Sequence, residues 1–159
     1  MTDENPAAGA GRPSGAEFTI KKIYVKDVSF ESPTSPEIFT VPWQPELDLQ
    51  MHTGASRFGP ADYEVTLNAT ATVKVGERTA FLAEVQIGGV FGITGVPESD
   101  LAPLLGTYCP TILFPYLREV VSDLAVRGGF PQMLLQPVNF DALYQQHLAQ
   151  EGGAGGETH

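Results

Sequence analysis

Hydrophobic and polar residues alternate through much of the first hundred positions of this chain. The longest run is ADYEVTLNATATVKV, residues 61–75. Ala61, Tyr63, Val65, Leu67, Ala69, Ala71, Val73 and Val75 fall on one phase, and Asp62, Glu64, Thr66, Asn68, Thr70, Thr72 and Lys74 on the other. A period of two held this long predicts an antiparallel strand with one buried and one solvated face. Gly76 and Glu77 offer a turn, and RTAFLAEVQIGGVFGI then resumes the alternation, with Phe81, Ala83, Val85 and Ile87 inward and Leu82, Glu84 and Gln86 outward. The glycines at 88, 89 and 92 predict a bulge or bend before a short final strand near residues 90–93. A further strand is predicted over residues 18–30. At its end IYVKDVSFESP sets Asp27, Ser29 and Glu31 against Val28 and Phe30. The pattern therefore gives about four antiparallel strands, one of them with an acidic face.

Between the first two predicted strands lies SPTSPEIFTVPWQPELDLQMHTGASRFGP. Prolines 33, 36, 42 and 45 deny it a continuous helix or a central strand. A connection of that length normally binds something or is disordered. Ile38, Phe39, Trp43, Leu47, Leu49 and Met51 make it too apolar for disorder.

The second half reads as helical. Pro110 suits a helix start, and ILFPYLREVVSDLAVRGG stops at Gly128. Ile112, Leu113, Phe114, Leu117, Val120, Val121, Leu124, Ala125 and Val126 cover more than one stripe, which predicts a helix buried on several sides and hence a homo-oligomer with that helix in its interface. Asn139 can cap a last helix, FDALYQQHLAQ, with Phe140, Leu143, Tyr144 and Leu148 on one face. Strands followed by helices make an α+β domain over residues 17–150, flanked by polar tails at 1–16 and 151–159 that are expected to be disordered.

Composition narrows the function. A formal net charge of −10 on 159 residues disfavours nucleic acid and anionic membranes, and favours a basic partner. One cysteine, Cys109, cannot form an internal disulfide. The first residues hold no apolar core of signal-peptide length, so a cytoplasmic location is expected.

Candidate chemistry is thin. His52, His147 and His159 are scattered, with no G-x-S-x-G elbow and no zinc-like ligand spacing. GGVFGITG lacks the order of a phosphate loop. Asp27 and Glu31 stand about 13 Å apart along a strand at ~3.3 Å per residue, beyond the roughly 5 to 9.5 Å of a glycosidase pair. No enzyme, no metal site and no cofactor are expected. The acidic residues are either a plain solvated face or, with Leu82 standing among them, a binding surface.

IYVKDVSFESP, VPWQPEL, TAFLAEVQIGGVFGI, LLGTYCPTILFPYLREVVSDLAVRGGFP and PVNFDALY, spread in this order from Phe18 to Leu148, closely resemble the SecB family of bacterial export chaperones. The resemblance implies an ATP-independent holdase that keeps precursor proteins unfolded and delivers them to the SecA motor for export across the inner membrane. It implies a homotetramer built as a dimer of dimers, with long helices between outer sheets. The family's SecA-docking positions fall on Asp27, Glu31, Leu82 and Glu84, where the partner's basic, zinc-bearing segment would land; the zinc belongs to that partner. Its client grooves fall on Trp43, Leu47, Leu49, Met51, Phe130, Tyr144 and Leu148, and its assembly-sensitive strand positions on Ala83, Val85 and Ile87. The alternative is a SecB-like scaffold serving a toxin–antitoxin or general stress role, against which retention of the four docking residues counts.

Overall fold

The computed structural model describes residues 15–157, with side chains through Glu151; most of the expected N-terminal tail lies outside that description, whereas residues 151–157 of the expected C-terminal tail continue the last helix rather than being irregular. Four antiparallel strands, β1 (Glu17–Glu31), β2 (Glu46–Arg57), β3 (Asp62–Val75) and β4 (Arg78–Thr94), form one sheet in the order β1-β4-β3-β2. A helical stretch follows: α1 (Glu98–Pro103), a π turn (Leu104–Tyr108) and α2 (Cys109–Arg127). The last element is α3 (Phe140–Glu157).

The α+β reading with four strands holds, but two strands are divided differently. The apolar end of the long connection is itself β2, paired without a break from Glu46↔Lys74 to Arg57↔Tyr63. All four early prolines lie before it, so residues 46–57 carry none. β4 is one continuous strand, not two separated by a glycine bend. Its partner β1 takes the irregularities instead, between Ile20 and Lys22 and between Val25 and Asp27. The glycines make room: a Cβ at Gly88 would stand 2.5 Å from the Tyr24 ring, and one at Gly92 2.9 Å from the Lys21 side chain.

The core lies between the sheet and α2. Val65, Leu67, Ala71 and Val73 of β3 and Phe81, Ala83, Val85 and Ile87 of β4 are buried, facing Leu113, Leu117, Val121 and Ala125, which recur at helical spacing on α2. Each fully buried leucine or valine contributes about 1.5–3 kcal/mol relative to exposure. The helix begins earlier than Pro110 suggested. That proline continues a helical path already running from Glu98, whose pattern Pro103 and Gly106 obscure. The hydroxyls of Thr107 and Thr111 donate to the carbonyls of Pro103 and Thr107 through this stretch.

At its other end α2 stops on a double-glycine cap. Gly129 has φ +89, which a side chain disfavours, while its N–H donates to Val126 O and the Phe130 N–H to Ala125 O. Gly128 leaves space for the Phe30 ring, which a Cβ there would approach to 2.4 Å. This cap delivers Phe130 into the core. The Arg118 Nε donates to Leu135 O at 2.9 Å, pinning the connector that leads to α3.

Candidate functional site

Register settles which outward side chains are neighbours. Crossing the sheet from β1 to β2, Glu31, Leu82, Thr72 and Asp48 form one row. Ser29, Glu84, Thr70 and Gln50 form the next, and Asp27, Gln86, Asn68 and His52 the third. The expected docking residues Asp27, Glu31, Leu82 and Glu84 therefore share one patch on two adjacent strands. Asp27, Glu31 and Glu84 are exposed. Leu82 is half-buried rather than fully exposed, because Glu31 and Thr72 flank it across β4. The three carboxylates have no ion-pair partner among the described residues. Asp48 joins the patch from β2; the alternation of Glu46, Asp48 and Gln50 against Leu47, Leu49 and Met51 could have identified it.

The other end of the same face differs. Tyr24, Gly88, Thr66 and Gly54 make the fourth row, and Lys22, Val90, Glu64 and Ser56 the fifth. Lys26 Nζ lies 2.8 Å from Glu64 Oε1, and Lys21 Nζ 2.5 Å from Asp62 Oδ1. The Tyr24 hydroxyl donates to Glu64 Oε2. Hydrogen bonds from Lys26 and then Tyr24 hold the Glu64 carboxyl below its usual range. Burial, reinforced by that carboxylate, pushes the Tyr24 hydroxyl up to about 12.

The expected groove residues occupy the opposite side of the sheet. Leu47, Leu49 and Met51 pair with Val73, Ala71 and Ala69, all buried, so they extend the core face onto an edge strand. Leu47 remains 40% exposed and Leu49 and Met51 are half-buried. Aromatic rings collect beside the start of the row: Phe130 stacks within 5.1–5.4 Å of Phe39, Trp43 and Phe81. Phe130 is only 6% exposed, which corrects its expected place on the groove surface. It is floor beneath the half-exposed Phe39 and the half-buried Trp43. Phe39, half-exposed beside Phe130, is an aromatic that the expected groove set does not include.

Beside the middle of β2, a cleft of about 300 Å³ is lined by Met51, His52, Gly106, Phe140, Tyr144 and His147, among others. α3 is capped by Asn139 Oδ1, which accepts from the Ala142 N–H at 3.0 Å. Phe140 is buried against Phe114, and the Tyr144 ring rests where a Gly106 Cβ would come within 2.6 Å. Leu148, one turn on, is 42% exposed. Tyr144 thus lines the cleft, whereas Leu148 does not. His147 pairs with Glu151 at 3.1 Å and belongs to the helix surface.

The described residues hold no group of three or more metal-ligating side chains. The Cys109 thiol is buried, which pushes it up to about 12 and leaves it unreactive. Among the described residues no helix is long and apolar enough to cross a membrane.

Comparison with known proteins agrees with the sequence resemblance. Residues 12–151 match the family model described as preprotein translocase subunit SecB. The protein-export protein SecB of Methylococcus capsulatus is 52% identical over 132 residues, covering 83% of this chain and 85% of that protein. A Mycobacterium tuberculosis SecB-like chaperone, solved in complex with a peptide from an antitoxin, superposes with a TM-score of 0.65. It is 17% identical, over 76% of this chain and 90% of the other, and so shares the fold.

Proposed function

The chain belongs to the SecB family of protein-export chaperones, and from that premise we propose that its two sheet-borne surfaces divide the work. The protein is an export chaperone; in our reading it acts as an ATP-independent holdase in the cytoplasm, with precursors held in the apolar trough and SecA received on the acidic face. The row Leu47–Leu49–Met51, left open on an edge strand of a strongly acidic protein, is the observation that carries the client role. Unfolded chains share exposed apolar side chains and unpaired backbone rather than a sequence. An apolar row beside a free strand edge offers complements to both.

SecA docking rests on Asp27, Glu31, Leu82 and Glu84. Unpaired carboxylates around a half-buried leucine suit a cationic partner that also makes apolar contact. Homotetramer assembly, as a dimer of dimers, is supported by the side of α2 that the sheet leaves uncovered. Tyr116 and Val126 are 50% and 55% exposed there, while Ile112, Val120 and Leu124 are only partly buried. The reading as one domain over residues 17–150 is consistent with a single core shared by every described strand and helix α2. An antitoxin-serving role has only a fold-level likeness behind it.

The test is the refolding rate of a slow-folding secretory precursor, with and without the assembled protein and without ATP. Arrest at about one tetramer per client is expected from mass action on the unfolded state. Undisturbed refolding in the presence of a verified tetramer would reject the holdase reading.

A further inference from the structure

The glycine-rich GGVFG segment of β4 has a use that neither the core nor the two surfaces explain. Gly88 and Gly92 leave the outer face of the central strand bare at two rows. Side chains from β1 lie across that gap and reach β3, two strands away. The Tyr24 ring passes over Gly88 to Glu64, and the Lys21 chain over Gly92 to Asp62. Lys26 reaches the same Glu64 carboxylate with both oxygens in range, at 2.8 and 2.9 Å. Lys21 and Lys26 are the extra residues at the two irregularities of β1. Each bulge therefore supplies a cation that the regular strand would not have placed there.

The consequence is an uneven field. Three rows carry Glu31, Asp48, Glu84 and Asp27 with no Lys or Arg among them. The rows beyond carry Asp62 and Glu64, both neutralised, and Lys22 besides. We propose that Lys21, Tyr24 and Lys26, laid over the glycine gap, form a charge stop that confines a basic partner segment to the Asp27–Glu31–Glu84 half of the sheet and fixes its register there. This inference rests on the docking reading above. A flat face that was acidic throughout would let a cationic chain slide among equivalent positions. Pairing of Asp62 and Glu64 with Lys21 and Lys26 makes those positions unequal, since a carboxylate already held by a lysine offers a cationic chain little and so selects against that arrangement.

The experiment compares the parent tetramer with Lys21→Ala/Lys26→Ala and with Tyr24→Phe, each with and without Glu84→Lys. A synthetic Lys/Arg-rich peptide serves as probe, followed by calorimetry and by amide-exchange footprinting. The lysines are surface residues, and a matched melting temperature checks that the variants fold. With the stop removed, affinity should rise roughly two- to fivefold at low ionic strength, from two cations lost near the bound chain. The footprint should also spread from residues 27–31 and 82–86 onto Asp62 and Glu64. Tyr24→Phe should spread it partly.

If Glu84→Lys weakens the peptide while the lysine variant leaves affinity and footprint unchanged, the charge stop is wrong and the docking reading stands. If Glu84→Lys changes nothing in either background, the docking reading itself fails and the charge stop with it.

Discussion

The two faces of one sheet are built to opposite specifications. The outer face places its carboxylates through strand register: Glu84 on β4, which is paired on both sides, with Asp27 and Glu31 on β1 and Asp48 on β2, the two edge strands. Its pattern of charge is thus as fixed as the backbone. The inner face ends in a trough whose walls come from different kinds of structure: an edge strand, a connector pinned by Arg118, and a helix anchored by its first turn. Each wall is tied to the core by a few side chains, Phe130 and Leu135 in the connector and Phe140 in the helix, while its groove-side surface stays exposed. A fixed charge pattern suits one partner met repeatedly. An exposed apolar trough suits many chains met once. The difference lies in how each surface is held, more than in which residues line it.

The sharpest way to break this comparison is charge reversal on the fixed face. Glu84→Lys should lower SecA affinity tenfold or more, about 1.4 kcal/mol or above, while client affinity measured on an unfolded precursor stays at the parent value. Loss of both together would mean that the faces are not independent. In the trough, Leu148→Asp should weaken clients severalfold and leave SecA binding intact. An unchanged client affinity would remove Leu148 from the binding wall.

Gly106→Ala probes how loosely α3 is held. The new methyl group collides with the Tyr144 ring, at a cost of about 1–3 kcal/mol for overpacking. Amide exchange should quicken in α3 and leave β3 and β4 unchanged; uniform destabilisation would show that the helix is an integral part of the core. Salt separates the faces without mutation. SecA binding should weaken as ionic strength rises, since exposed charges are screened over about 10 Å at ~0.1 M, while client binding should change little.

The smallest effect concerns Tyr24. Its hydroxyl stays protonated to about pH 12, against an ordinary value of 10.0. Between those values the folded chain holds a proton that the unfolded chain has released, so stability should fall as pH rises through that window. A phenolate absorbance titration reads this directly, and Lys26→Ala should alter the midpoint.

Much of this was legible in the sequence, for identifiable reasons. β3 and the first half of β4 each bury one face and expose the other, and that asymmetry is what a period of two records. β2 was harder to see. Trp43 and the four prolines upstream read as a long connection, and the Leu47–Leu49–Met51 alternation is too short on its own to mark a strand. Its strand character depends on Val73, Ala71 and Ala69, whose partners Leu47, Leu49 and Met51 lie far from them along the chain. The start of the helical stretch was hidden by Pro103, Gly106 and Pro110, which a π turn accommodates. Gly88 and Gly92 suggested a bend because nothing in the sequence announces the ring and the lysine chain that fill their space. Asp27, Glu31, Leu82 and Glu84 are legible only through the family resemblance, because their adjacency depends on the β1–β4 pairing of strands far apart along the chain, which the turn at Gly76 does not set. The burial of Phe130 was not legible, because burial at a helix end depends on the direction in which the cap releases the chain.

The open edge of β2 has a consequence for how the protein survives its own company. A regular strand edge with an apolar row beside it invites a second copy to add itself, and then a third, as in fibre growth. β2 has no lysine, no proline and no bulge to discourage this. Deterrence has to come from the molecule as a whole. A net charge of −10 makes every approach of two copies repulsive at long range, before their edges can find each other. The acidic surplus is therefore also a colloidal device: it keeps a concentrated stock of sticky molecules dispersed, and a neutralised variant should precipitate at concentrations where the parent stays clear.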